Sequence, residues 1–384
     1  MPPLLTNCLG SARVTHIPGK TVSVFKPASW QEGYSHHAHV TSLNGKLLAT
    51  WSVGKLHEDG PGQRMVLSTS ADFGETWTAP VTLVAPVRGE FADSCITNGG
   101  LHIHGSDIIG FFSSYDHTRD ALIQFADSGV NELWRMSAES TRDVHAGAVT
   151  SSDGGRTWQK TDTRIPGLII NLAPTRLASG RLFATGHRIN ACTDDPSGIS
   201  GWKISPLPGL PHGYYERAGG HRPILADWRH LGICEGAIQE VPGRPLRLIL
   251  RTNKGRLAAA ESHDDGASWS APQLTQFTDC GSRFQFGRLP DGRHFALSCP
   301  DNITPHSGLR RTPLVLAVSE DGDTFDRHFI LGDEPDRPLN FPGAYKHGRY
   351  GYPYLHILGD RLFVIDSVAK EEIELHTFDL RSFD

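Results

Sequence analysis

The chain has 384 residues, with 37 basic and 42 acidic side chains and a formal net charge of −5. That balance offers no basic field for a polyanion, which excludes nucleic acid as an expected partner. Hydrophobic residues make up 38% of the chain, enough for a sizeable core, and the 41 Gly and 25 Pro suit short strands and tight turns better than long helices.

From the N-terminus, Met1 to Gly10 lack the basic start and the apolar stretch of about 7–15 residues that mark a signal peptide. A cytoplasmic protein is expected, with secretion as the alternative if the natural chain begins earlier. No apolar run approaches the ~18 residues of a membrane span. The first strand signal is Ser35-His36-His37-Ala38-His39-Val40, whose alternation places His37 and His39 on one face and His36 on the other. A two-residue turn, Asn44-Gly45, then leads into Leu47-Leu48-Ala49-Thr50-Trp51. The same hairpin chemistry recurs at Gly105-Ser106, Ser179-Gly180, Pro242-Gly243, Asp291-Gly292 and Gly359-Asp360, roughly 50–75 residues apart.

A second repeat runs between these hairpins. Ser70-Ala71-Asp72-Phe73-Gly74-Glu75-Thr76-Trp77 is followed by Ser151 to Trp158, by Ser262 to Trp269 and by a degenerate copy, Ser319 to Phe325. In such a turn the Asp carboxylate accepts backbone N–H bonds, Gly permits positive φ and the Trp folds back as an apolar plug. These turns brace hairpins and are not expected to be catalytic. Long polar loops at Arg88 to Thr97, His117 to Arg142, Ile189 to Trp202 and Gly209 to Cys234 are candidates for function. No linker divides the chain, so residues 1–384 read as one domain. Cys8, Cys95, Cys192, Cys234, Cys280 and Cys299 are widely spaced without a CxxC pair, which argues against a zinc knuckle or a disulfide framework.

The Ser-x-Asp-x-Gly-x-x-Trp turn resembles the Asp-box of the sialidase superfamily, and the resemblance extends over nearly the whole chain. It implies an all-β fold, a six-bladed β-propeller with one four-stranded blade per hairpin. A seventh blade in the irregular 85–145 stretch is the alternative. It also implies site residues. Glu235, in Glu235-Gly-Ala-Ile-Gln-Glu240, and Arg251 match the family's paired glutamate and carboxylate-binding arginine, and Arg310 or Arg311 takes the place of a further arginine. Tyr352, in Tyr350-Gly351-Tyr352-Pro353-Tyr354, matches the tyrosine nucleophile, and Asp59 in His57-Glu58-Asp59-Gly60 the acid/base aspartate. The chemistry is coherent. A sugar with a carboxylate at its reacting carbon repels a carboxylate nucleophile but not a phenol relayed through Glu, while arginines hold the carboxylate and an aspartic acid protonates the leaving oxygen.

One part of the family pattern is missing. Its first-strand arginine, in Arg-Ile-Pro, is absent, and the three histidines stand there instead. The expected activity is therefore exo-acting cleavage of a terminal acidic sugar by a divergent member, with an oligosaccharide as partner and no cofactor. Polysaccharide elimination at a uronic acid linkage is the alternative, with His37 or Tyr352 as base and Arg251 neutralising the carboxylate, and His39 beside the substrate. A propeller that binds glycans or proteins without cleaving them is the third reading. A metal site on His36, His37 and His39 is not expected, because only two of them face one way. Asn98, His102, Tyr115, His187 and Arg188 are further polar candidates near a central pocket.

Overall fold

The computed structural model describes residues 5–8, 12–117, 122–123, 133–134, 141–187, 189–208, 231–300, 311–343 and 345–384. These form six β-sheets arranged as the blades of a propeller. Blade I comprises Tyr34–Leu43, Lys46–Gly54, Arg64–Ser70 and Val81–Val84, and blade II Cys95–His104, Asp107–His117, Thr141–Ser151 and Gln159–Lys160. Blade III comprises Thr175–Arg176, Leu182–Thr185, Asn190–Thr193 and Lys203–Ile204, and blade IV Gly236–Gln239, Leu246–Leu250, Arg256–Ser262 and Gln273–Thr278. Blade V is built from Gln285–Arg288, His294–Ser298, Leu314–Ser319 and Arg327–Gly332, with Arg13–His16 added in parallel outside. Blade VI takes three strands from the C-terminus, Gly351–Leu358, Arg361–Val368 and Glu372–Asp379, and its outer strand Lys20–Phe25 from the N-terminus. That exchange joins the two ends of the chain and closes the ring without an exposed edge inside it.

Each expected two-residue turn joins the innermost strand of a blade to the next one out. The described residues of the 85–145 stretch supply strands of blade II and a small hairpin, Leu122–Ile123 with Leu133–Trp134, and form no seventh blade. The stretch from Ile189 to Trp202, expected to be a loop, contains the third strand of blade III. Apolar side chains fill one layer between each pair of neighbouring blades. Leu47, Ala49 and Trp51 face blade VI, whereas Leu48 faces blade II. Both faces of an inner strand are thus buried, which is why Leu47 to Trp51 reads as an apolar run and not as an alternation.

The Ser-x-Asp-x-Gly-x-x-Trp turns all join the third and fourth strands of a blade, and each plugs the layer shared with the preceding blade: Trp77, Trp158, Trp269 and Phe325. Blade III has an equivalent that its sequence disguises by a longer spacing. Asp195 accepts from the backbone and hydroxyl of both Ser197 and Ser200, and Trp202 Nε1 donates to the Gly198 carbonyl at 2.7 Å, as Trp158 does to Gly155 at 3.0 Å. Burial alone would raise the Asp195 carboxyl, but these donors outweigh it and hold it at about 2, where Asp72 and Asp264 also sit. A carboxyl held below its unfolded value of about 4 contributes stability above that value and loses it as the pH falls toward 2. Acid unfolding followed by circular dichroism should therefore begin below about pH 4, and Asp195→Ala should lower the melting temperature at pH 7 while flattening that acid dependence.

Candidate active site

The innermost strands of three adjacent blades carry the same irregularity. Their pairing with the next strand slips between His36 and His39 in blade I, between Asn98 and Leu101 in blade II, and between Gly351 and Tyr354 in blade VI. Within the slips His37 and Tyr352 adopt left-handed φ angles of 58° and 54°. A bulge of this kind re-aims a side chain and costs backbone energy in a non-glycine residue. Here it turns Tyr352 and His37 toward one cavity of about 360 Å³, lined also by Glu58, Asp59, Asn171, His187, Cys234, Glu235 and Tyr345.

At the wall of this cavity Tyr352 Oη donates to Glu235 Oε1. Arg251 Nη1 donates to Glu235 Oε2 at 2.6 Å and lies 3.1 Å from Tyr352 Oη. The strand pairing of blade IV fixes this geometry, because Arg251 N donates to the Glu235 carbonyl at 2.8 Å. Burial would raise the Glu235 carboxyl, but Arg251 and the Tyr352 hydroxyl hold it down at about 2. Burial and the facing Glu235 push the Tyr352 phenol well above its usual value, so it is neutral until a base takes its proton. Asp59 behaves oppositely: burial, and then the neighbouring Glu58, raise its carboxyl to about 7 despite a hydrogen bond from Tyr115. Its carbonyl accepts from His117 Nε2 at 2.9 Å, which pins the loop that carries it.

Arg311 lies over the Tyr352 ring at 5.2 Å. It is 2% exposed, and its Nε and Nη1 have no hydrogen-bond partner among the described residues. Arg310 and Arg188 lie outside the described residues. Arg251, Arg283 and Arg311 surround Tyr352 and Lys370 pairs with Glu58 on the same cavity, four cationic groups against an ionised Glu235, the Glu58 carboxyl and an Asp59 that titrates near 7. The surplus of positive charge suits an anionic guest.

The histidines depart from the alternation expected of a plain strand. The bulge brings His36 and His37 together, their ring centroids 4.5 Å apart, and packs His36 on Tyr352 at 4.2 Å. His39 does not share the His37 face: it is buried against Tyr354 at 4.1 Å, accepts from Leu101 N at 3.3 Å, and lines no part of this cavity. Burial, and then Arg283 and Lys370, hold His37 well below the usual imidazole value, and thus neutral. His36, His37 and Glu58 do offer one ligand atom each within 4.8 Å of one another, a set the strand alternation hides. Lys370 Nζ already bonds Glu58 at 2.6 Å, however, and the surrounding cations disfavour a metal ion there.

Asn98 and His102 are structural. Asn98 donates to the carbonyls of His37 and Thr50 at 2.7 and 3.1 Å, and His102 Nε2 donates to the Pro196 carbonyl at 2.9 Å. Sequence reasoning missed Arg283. From the segment just ahead of blade V it donates to the carbonyls of Asn171 at 2.5 Å, Ala38 in blade I at 3.0 Å and Tyr352 in blade VI at 2.6 Å, and its guanidinium lies 5.0 Å from the Tyr352 ring. It belongs to no motif, so no local signal marks it. Cys234 and Glu58 also escaped notice, although each adjoins a residue singled out by the family pattern.

The family model for the BNR repeat-like domain matches residues 45–365. No curated protein matches the chain significantly. Among solved structures, a Dyadobacter fermentans protein of unknown function superposes with a TM-score of 0.62 at 16% identity, over 94% of this chain and 98% of that one. Trypanosoma rangeli sialidase gives 0.61 at 15% identity over 95% of this chain and 60% of its own, and NanB sialidase from Streptococcus pneumoniae 0.61 at 13% over 94% and 71%. At these identities the likeness establishes the propeller fold. The chain spans about three fifths of the trypanosomal sialidase's length. Among the described residues no helix is long and apolar enough to cross a membrane.

Proposed function

The chain belongs to the family of BNR repeat-like domains, and from its cavity we propose an exo-acting glycoside hydrolase that releases a terminal acidic sugar. The observation that carries this reading is the Tyr352 hydroxyl held between Glu235 and Arg251, with Asp59 on the same cavity. Glu235 takes the phenol proton as Tyr352 Oη attacks the anomeric carbon, and Arg251 stabilises the carboxylate of Glu235 in its ionised form. Asp59, protonated up to about pH 7, gives its proton to the leaving oxygen. In the second half of the reaction the ionised Asp59 removes a proton from the water that attacks the anomeric carbon, the bond to Tyr352 Oη breaks, and Glu235 returns its proton to the departing phenolate. Arg311, whose Nε and Nη1 have no partner among the described residues, and Arg251 hold the sugar carboxylate.

A second reading has one specific observation in its favour. His37 is neutral, lines the same cavity and stands edge-on to Tyr352 at 5.3 Å, as a base for elimination at a uronic acid would. The pH profile separates the two. Hydrolysis needs protonated Asp59, so its rate should fall as the pH rises through about 7, and Asp59→Asn should lower kcat by about 10²–10⁴-fold. Elimination through neutral His37 should keep its rate at alkaline pH and form an ultraviolet-absorbing double bond. A rate that persists above pH 8 in wild type and in Asp59→Asn would overturn the hydrolase assignment.

A further inference from the structure

Cys234 and His187 form a thiol–imidazole pair on the cavity wall that the proposed hydrolysis does not use. Their Sγ and Nδ1 atoms lie 3.2 Å apart, and both residues line the cavity. Backbone bonds fix both partners: Cys234 N donates to the Arg251 carbonyl at 3.0 Å, and His187 N to the Ile169 carbonyl at 2.9 Å. Arg251 also feels the sulfur electrostatically, while Glu235, the adjacent carboxylate, is already paired with Arg251. A thiol beside a base and a guanidinium, open to a cavity, is placed to react as the thiolate. The other cysteines give a built-in comparison. Cys95, Cys192, Cys280 and Cys299 are buried, whereas Cys8 is partly exposed like Cys234 but lies at the blade IV–V edge, away from this cavity.

We propose that Cys234 is a covalent modification site for soft carbon electrophiles small enough to enter the cavity, with His187 accepting the thiol proton. With a haloacetamide, the sulfur forms a bond to the methylene carbon as the carbon–halogen bond breaks. Halide leaves, and the thiol proton passes to His187 Nδ1 and on to solvent. The capped sulfur then stands next to Glu235 and occupies part of the cavity that Tyr352 also lines. The chemistry of capture needs only the pair and is independent of the glycosidase reading.

The test treats the native full chain with limiting iodoacetamide and maps carbamidomethyl groups by peptide mass spectrometry over time. Cys234 should label about tenfold or more faster than Cys8, and His187→Asn or His187→Gln should bring Cys234 down toward the Cys8 rate while leaving Cys8 unchanged. The Cys8 rate and the circular dichroism spectrum report whether each variant is folded. Labelling of Cys234 no faster than Cys8, or a Cys234 rate indifferent to both His187 variants, would overturn the proposal. Loss of sugar cleavage does not enter this measurement, so failure here and failure of the hydrolase reading are told apart.

Discussion

Tyr352→Phe is expected to lower sugar release by about three orders of magnitude or more while leaving the propeller folded. The substitution removes only the hydroxyl. The ring keeps its contacts with His36, His37, Arg283 and Arg311, and Glu235 and Arg251 retain their ion pair at 2.6 Å. The urea midpoint should therefore change little, and the loss should appear in kcat with KM nearly unchanged, as for an interaction made only in the transition state. A Tyr352→Phe variant that keeps more than about a tenth of the wild-type rate would remove the nucleophile from the mechanism.

Arg283→Met should have the largest effect on stability, a loss of about 3–5 kcal/mol read as a fall in the urea midpoint. Three carbonyls, from blade I, blade VI and the segment entering blade III, all accept from this one buried guanidinium. Removing it leaves each without a donor, at about 1–3 kcal/mol apiece, offset in part by the relief of burying a charge. That burial is visible in the guanidinium itself, which desolvation lowers to about 10. Arg283→Lys keeps the charge but cannot spread donors over three directions, so it should lose most of the same stability. An unchanged midpoint in both variants would mean that the Arg283 guanidinium does not hold these segments together.

What the sequence made legible follows from how local each signal is. The six two-residue turns and the Trp-ended turns are set by a few neighbouring residues, and they located six blades and their outer braces. Glu235 and Arg251 were legible as a pair because one hairpin joins them. Tyr352 was legible as a position, but its left-handed conformation was not. Bulges insert one residue into a strand, and strand periodicity reads straight through them. That is why His36, His37 and His39 were assigned the wrong faces, and why His39 ends in the packing against Tyr354. Blade III escaped the repeat because extra residues around Ser197 separate Asp195 from Trp202, although the hydrogen bonds are the same in kind. Arg283 was invisible because its partners come from residues 38, 171 and 352, and no local pattern reports a contact across the axis.

The most direct test of the central claim is incubation of the protein and its Tyr352→Phe variant with oligosaccharides ending in sialic, glucuronic or other acidic sugars. Released sugar and ultraviolet absorption are followed together. The predicted result is release of an intact terminal acidic sugar without new absorption, abolished by Tyr352→Phe. Cleavage accompanied by growing absorption, or release that Tyr352→Phe leaves unchanged, would contradict it.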